Sequence, residues 1–134
     1  MSTPTILKDA DGAFRVVNEG ESMNIITTLQ DLADPAATVT TVTTITLTLY
    51  DKVTRSIINS RQDQNINNAN NSTFSSGVLT IELDADDSVI SDTGRVSEGD
   101  TEDHIAKVTY TWSDGNSTRT AIEEFLFKVR RSLV

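Results

Sequence analysis

The stretch ITLTLY, residues 45–50, decides the fold class, because its apolar and polar side chains alternate with a period of two. Successive side chains of a β-strand point to opposite faces, so the pattern predicts a strand with one face on a core. Upstream the alternation slips, since Val39, Val42 and Ile45 are spaced by three. A break in the strand near Thr43–Thr44 is therefore expected.

Three further segments alternate in the same way, and shorter candidate strands lie at residues 14–17, 23–29 and 53–59. The residues predicted to face the core are Leu79, Ile81 and Leu83, then Ala106, Val108, Tyr110 and Trp112, then Phe125, Phe127 and Val129. The stretch Ser113–Asn116 is typical of a hairpin turn with a glycine near its tip. About seven strands divided by turns predict an all-β fold, either a sandwich or a small barrel.

The domain organisation is simple, because 134 residues correspond to about one domain, taken here as residues 1–134. Residues 1–12 are interpreted as an N-terminal arm. The asparagine-rich residues 61–76 and the acidic residues 91–103 are predicted to form long surface loops.

The charge balance argues against two classes of partner. The chain carries 20 acidic and 11 basic residues, a net charge of −9. Nucleic-acid binding depends on neutralising phosphates with Lys and Arg, and anionic membranes attract basic segments, so neither partner is expected.

The chain contains no cysteine, which excludes disulfides and thiolate metal sites. Residues 1–8 show no basic segment followed by an apolar run, so no secretion signal is expected.

The single histidine, His104, is a candidate catalytic residue. A Ser-His-Asp arrangement needs that ring beside both a serine and a carboxylate. His104 instead stands just before the strand of residues 105–112 and is interpreted as an ordinary strand-edge residue. No catalytic residue, cofactor or small-molecule substrate is expected.

An acidic cluster raises the alternative of a calcium site, because calcium prefers several carboxylate oxygens. Its members are Asp84, Asp86, Asp87 and Asp92. The spacing lacks the glycine and the closing glutamate of a calcium loop. The preferred interpretation is a solvated corner with one helical turn over residues 84–90, capped by Asp84 or Asp86, and no metal.

Aromatic residues bear on sugar binding. Tyr110 and Trp112 fall on the apolar side of a strand, so the pattern favours core positions over sugar-binding platforms.

The second half of the chain resembles known proteins. The relevant stretches are Ile57–Arg61, Ser76–Leu83, Asp84–Ile90, Glu102–Ala106, Val108–Gly115 and Phe127–Arg130. Their order over residues 45–134 resembles small structural proteins of tailed bacteriophages and, more loosely, the immunoglobulin-like modules on phage capsids and baseplates. The resemblance implies one immunoglobulin-like antiparallel β-sandwich of about seven strands with long polar loops.

The same resemblance implies a non-enzymatic virion protein, made in the bacterial cytoplasm. It would dock in multiple copies onto capsid, neck or tail proteins through terminal arms and edge strands. The expected contact segments are residues 1–7, 38–44 and 132–134, which carry little charge and are predicted to be dispensable for the core. The individual partner-binding residues are Met1, Ile6, Leu7, Val39, Thr40, Thr41, Val42, Leu133 and Val134.

Two other functions stay open at this point. One is a carbohydrate- or receptor-binding module of a fibre or adhesin, which requires exposed aromatic side chains on loops. The other is an accessory domain of an enzyme on a separate chain. Capsid decoration, the head–tail neck and the baseplate are equally compatible with the virion hypothesis.

Overall fold

The computed structural model describes residues 4–8, 12–32 and 37–132, and its architecture is an all-β sandwich. The elements in chain order are β1 Thr5–Ile6, β2 Val16–Asn18, β3 Met23–Thr28, β4 Gln30–Asp31, β5 Ala37–Thr38, β6 Thr44–Asp51, β7 Gln64–Asn65, β8 Ser72–Ser75, β9 Val78–Leu83, a 3-10 turn Ala85–Asp87, β10 Thr101–Ser113 and β11 Thr118–Arg130. The predicted break before the strand of residues 45–50 is confirmed, because β6 begins at Thr44.

The large sheet has the order β1-β11-β10-β6-β7, and β2 also pairs with β11. Strands β10 and β11 form a long antiparallel hairpin, whereas β1 and β2 run parallel to β11. The hairpin turn is tied by Asp114, whose carboxylate accepts the N–H groups of Asn116 and Ser117 at 2.8 Å. The predicted hairpin at Ser113–Asn116 is therefore confirmed.

The small sheet has the order β3-β9-β8, and β4 and β5 form a separate two-stranded ribbon. Strands β8 and β9 are joined by Ser76 and Gly77, both with positive φ, the geometry of a tight hairpin turn. Any side chain at Gly77 would collide with Thr38, so glycine is required there for a second reason.

The core lies between the two sheets and contains the predicted inward residues of β6, β9, β10 and β11. Trp112 and Phe127 are both buried, and Trp112 stacks on Tyr110 with ring centroids 5.3 Å apart. The interpretation of Tyr110 and Trp112 as core residues is confirmed, so these two side chains are not exposed platforms for a sugar.

Three sequence interpretations are corrected by the structure. Residues 61–76 contain β7, β8 and the fully buried Ile66, so they are not one long loop. Residues 91–103 include the buried Val96 and the start of β10. Residues 53–59 form a turn with one isolated bridge to β6 instead of a strand. Ile66 and Val96 are single apolar residues within polar stretches, so no periodicity marks them as buried.

The turn at residues 84–90 appears as expected, with Asp84 as its N-terminal cap. Among the described residues, no helix is long and apolar enough to cross a membrane.

Candidate docking surface

Strand β3 is an edge strand with an open side. In the described part of the chain it pairs only with β9, and Leu29 just beyond it donates its N–H to the carbonyl of Gly77 at 2.9 Å. Hydrogen-bonded and non-bonded positions alternate along an antiparallel pair, so Met23, Ile25 and Thr27 face β9. The N–H and C=O groups of the other three residues must then point away from the sheet. These residues are Asn24, Ile26 and Thr28.

No backbone or side-chain partner reaches these three outward positions within residues 4–8, 12–32 and 37–132. The edge also lacks charge, because residues 22–30 contain no Asp, Glu, Lys or Arg. The Ile26 side chain is 67% exposed on the outer face, and Val78 on the adjoining strand is partly exposed. This six-residue edge carries no charge or proline and exposes an isoleucine, and no described residue covers it, so it can pair with another chain.

The opposite edge of the same sheet, β8, is closed. Its outward positions are Ser72 and Phe74, because Glu82 on β9 donates to Asn71 in register with the other β8 residues. Ser72 donates its N–H to the carbonyl of Ala69 at 3.1 Å. Phe74 donates its N–H to the side-chain oxygen of Asn68 at 2.8 Å. The asparagine-rich segment therefore occupies the place of a further strand.

A buried ion pair holds that segment in place. The Arg61 guanidinium donates to both carboxylate oxygens of Asp87, at 2.6 and 3.0 Å, and both side chains are almost fully buried. Arg61 also donates to the side chain of Gln64 at 2.8 Å. Asn59 adds a further hydrogen bond to Asp87 at 2.9 Å. Residues 61–76 are thus ordered by contacts within the chain itself.

The first half of β11 is a second stretch without a neighbouring strand on one side in the described part of the chain. It carries Arg119, Glu123 and Glu124, whose charges oppose pairing with another strand. It lies beside β3, because the Thr27 hydroxyl donates to the Glu123 carboxylate at 3.2 Å. Burial raises the pKa of Glu123, and no cation pairs with it among the described residues.

The contact residues predicted at the N-terminus are only partly free. Thr5 and Ile6 pair with β11 of the same chain, and Leu7 packs against the core and donates its N–H to Leu126. The interpretation of residues 1–12 as an arm separate from the sandwich is wrong for this segment. Ile6 remains exposed and keeps its predicted role as a contact residue.

The predicted contact segment at residues 38–44 divides in the same way. Val39 is buried in the core and donates its N–H to Leu29, and Val42 packs against the core. The expectation that the core does not need them is wrong. Thr40 and Thr41 are exposed and stay predicted contact residues. The predicted contacts Met1, Leu133 and Val134 lie outside the described residues.

His104 is fully buried, so its interpretation as a strand-edge residue is wrong. Its Nε2 lies 2.6 Å from the Glu102 carboxylate, and its Nδ1 has no hydrogen-bond partner among the described residues. Burial lowers the pKa of His104, although Glu102 acts in the opposite direction. A neutral ring with its proton on Nε2 fits this site, because a protonated Nδ1 would be a buried donor without an acceptor.

Asp51 and Glu102 share the cation Arg95, at 2.6 and 3.1 Å. The Ser91 hydroxyl donates to Asp51 at 2.6 Å and not to His104, so the serine, histidine and carboxylate of this cluster are not arranged as a catalytic triad. Burial alone would raise the pKa of Asp51, but hydrogen bonds from Ser91 and from two backbone N–H groups lower it to about 2.

The acidic residues once considered for calcium have other partners. Asp87 is bound to Arg61, Asp84 caps the 3-10 turn, and Asp92 lies 3.7 Å from Arg95. Within the described ranges, no group of three or more His, Asp and Glu side chains is placed to hold a metal ion.

Comparison with known proteins does not assign this chain to a family. No protein-family model matches the chain, and a search of curated proteins finds no significant match. Inference about function therefore depends on the open β3 edge, which sequence reasoning missed. The uncharged run of residues 22–30 was the available signal, but only the sheet order shows that this strand is an edge.

Proposed function

We propose that this chain is a non-enzymatic, immunoglobulin-like structural module of a tailed-phage particle, which docks when a neighbouring protein adds a strand to its open β3 edge. The observation that carries the proposal is the row of outward N–H and C=O groups at Asn24, Ile26 and Thr28. In strand addition, such groups supply the affinity and the alternate side chains supply the specificity.

The strand order supports the immunoglobulin-like assignment. Such sandwiches place strands A, B, E and D in one sheet and G, F, C and C′ in the other. The small sheet β3-β9-β8 corresponds to B, E and D, and the order β11-β10-β6-β7 corresponds to G, F, C and C′. The position beside β3 corresponds to strand A. The described N-terminal strands β1 and β2 pair with β11 instead, so no described residue occupies the strand A position.

The expected occupant is an extended segment of a neighbouring virion protein. Its backbone would bind the three outward positions, and one of its apolar side chains would cover Ile26. Glu123 lies beside this edge without a cationic partner among the described residues, and the chain as a whole is acidic. A segment with neutral or basic side chains is therefore favoured over an acidic one.

The proposal that this chain is part of a phage particle depends on the resemblance of residues 45–134 to phage structural proteins. The protein composition of purified particles tests it. We expect mass spectrometry of gradient-purified particles from the source phage to detect the chain at a fixed number of copies per particle. A chain found only in the soluble fraction of the lysate would contradict the virion assignment. That result would leave strand addition to be tested separately.

A further inference from the structure

The outer face of the large sheet, which points away from the core, carries a pocket of about 690 Å³. This volume lies within the range of about 300–1,000 Å³ that is usual for ligand sites. Tyr50 on β6 and Ile105 on β10 are side by side in the sheet and form its floor. Ile57, Ile122 and Pro4 line its sides.

The pocket is more apolar than a solvated sheet face requires. Tyr50, Ile105 and Leu126 form a second buried cluster outside the main core, and Phe14 packs against it. The open side of an antiparallel sheet usually carries polar side chains. Here Ile57 and Ile122 remain 37% and 50% exposed at the pocket. These two side chains are available to an apolar group of a ligand.

The same pocket is lined by three basic residues, Lys52, Arg55 and Lys107, in a chain with a net charge of −9. Lys52 and Lys107 form no ion pair with any described residue. The single acidic residue in the lining, Glu124, accepts a hydrogen bond from the Tyr50 hydroxyl at 2.8 Å. The pocket thus combines free positive charge with exposed apolar surface.

The turn that carries Lys52 and Arg55 is stabilised by hydrogen bonds to the Asp51 side chain. The Asp51 carboxylate accepts the N–H groups of Val53 and Thr54 at 2.8 and 3.3 Å, and it is itself fixed by Ser91 and Arg95. The Arg55 guanidinium lies over the Tyr50 ring, 5.4 Å from its centroid. A site held before binding loses less conformational entropy when the ligand arrives.

We propose that this pocket binds an acidic, apolar peptide segment of a partner protein. One carboxylate would lie among Lys52, Arg55 and Lys107, where charge-assisted hydrogen bonds are available. A neighbouring apolar side chain would pack on the exposed Ile57 and Ile122. Charge complementarity selects this occupant, because the pocket is locally basic while the whole chain repels extended polyanions such as nucleic acid or an anionic membrane. The proposal is independent of the β3 edge and of the virion assignment.

The test uses a fluorescein-labelled pentapeptide that alternates leucine and glutamate, and the same peptide with glutamine in place of glutamate. Fluorescence anisotropy with the full chain measures the affinity for each. We expect the glutamate peptide to bind at least about tenfold more tightly, with an affinity that falls as salt screens the charges. Equal affinity for the two peptides would overturn the proposal.

Matched variants locate the binding site. The double substitution K52Q/K107Q should weaken binding of the glutamate peptide about tenfold, as expected for removal of two partly exposed charge contacts. The control R15Q/R130Q changes the net charge equally but alters no residue that lines this pocket. Its affinity should stay close to that of the wild type. Equal losses in the two double variants would show a general charge effect and overturn the assignment.

Discussion

The two edges of the small sheet differ in whether another segment of the chain covers them, although both belong to the same three-stranded sheet. At β8 the outward N–H groups of Ser72 and Phe74 are bound by the chain's own asparagine-rich segment. At β3 the outward groups face no described residue. An edge in this fold is therefore closed by a specific segment and not by the sheet itself.

Asparagine makes the closed edge possible. Asn68, Asn70 and Asn71 all adopt positive φ, a region that asparagine tolerates better than most residues. These conformations let the chain turn back along β8, where Asn68 supplies its side-chain oxygen. No comparable run of asparagines flanks β3.

The largest effect is expected when the ion pair beneath the closed edge is broken. Arg61→Ala leaves the buried Asp87 without its cation, and loss of one partner of a buried pair costs about 3–5 kcal/mol. Chemical denaturation measures the loss. Arg130→Ala is the control, because Arg130 is exposed and forms no ion pair with any described residue, and it should stay within about 0.5 kcal/mol of wild type. Similar midpoints for the two variants would contradict the account.

Sequence periodicity was sufficient to predict the core residues but not the ion pair between Arg61 and Asp87. Inward residues of a sandwich repeat every second position, so the residues of β6, β9, β10 and β11 could be identified from local pattern. Arg61 and Asp87 are separated by 26 residues, and Ile66 is an isolated apolar residue in a polar stretch. Their burial depends on which segments meet in three dimensions, and no local pattern records it.

The buried cluster around His104 could likewise be predicted only in part from the sequence. Glu102 and His104 are two apart on one strand, so their common face could be predicted from sequence. That this face is fully buried, with Asp51 and Arg95 beside it, depends on residues 91–103 folding back over the strand end. The same is true of β3, whose lack of charge is visible in the sequence while its place at an edge is not.

Acid should lower stability without removing the difference between the edges. In the fold the pKa of Asp51 is about 2, below its usual value near 3.9, so its contribution of about 2–3 kcal/mol is present above pH 4 and lost as the pH falls toward 2. The pKa of His104 is also lowered, so the unfolded chain binds its proton first and stability begins to fall below about pH 6.5.

Urea denaturation at pH 7, 5 and 3 measures this dependence. Amide exchange at pH 5 should still be faster at Ile26 than at Phe74, because neither edge uses Asp51 or His104. Stability that stays constant from pH 7 to pH 3 would show that the buried cluster does not titrate as described.

A smaller effect on stability is expected to distinguish the closed β8 edge from the open β3 edge. Asn68→Ala removes the acceptor of the Phe74 N–H and also places alanine at a positive φ, so it should cost about 2 kcal/mol. It should also accelerate amide exchange at Phe74. Asn24→Ala is the corresponding change at the open edge, where the Asn24 side chain forms no hydrogen bond with a described residue, and stability should not change measurably. Equal effects of the two substitutions would remove the distinction between the edges.

A proline at an outward position of β3 is expected to change stability little. Ile26→Pro removes an N–H group that has no described partner, so unfolding should shift by less than about 1 kcal/mol. Thr27→Pro removes an N–H group that faces β9, and it should cost about 3 kcal/mol or more. If both prolines are equally harmful, the assignment of outward positions is wrong.

The central claim, that docking occurs by strand addition at β3, is tested most directly by incorporation into particles. Particles are assembled with Ile26→Pro, which removes the outward N–H, or with Ile26→Thr, which keeps it, and copies per particle are counted by quantitative mass spectrometry. We expect the threonine variant to be incorporated in numbers near wild type and the proline variant to be largely excluded, while both keep a β-type circular dichroism spectrum. Equal incorporation of two folded variants would contradict strand addition at this edge.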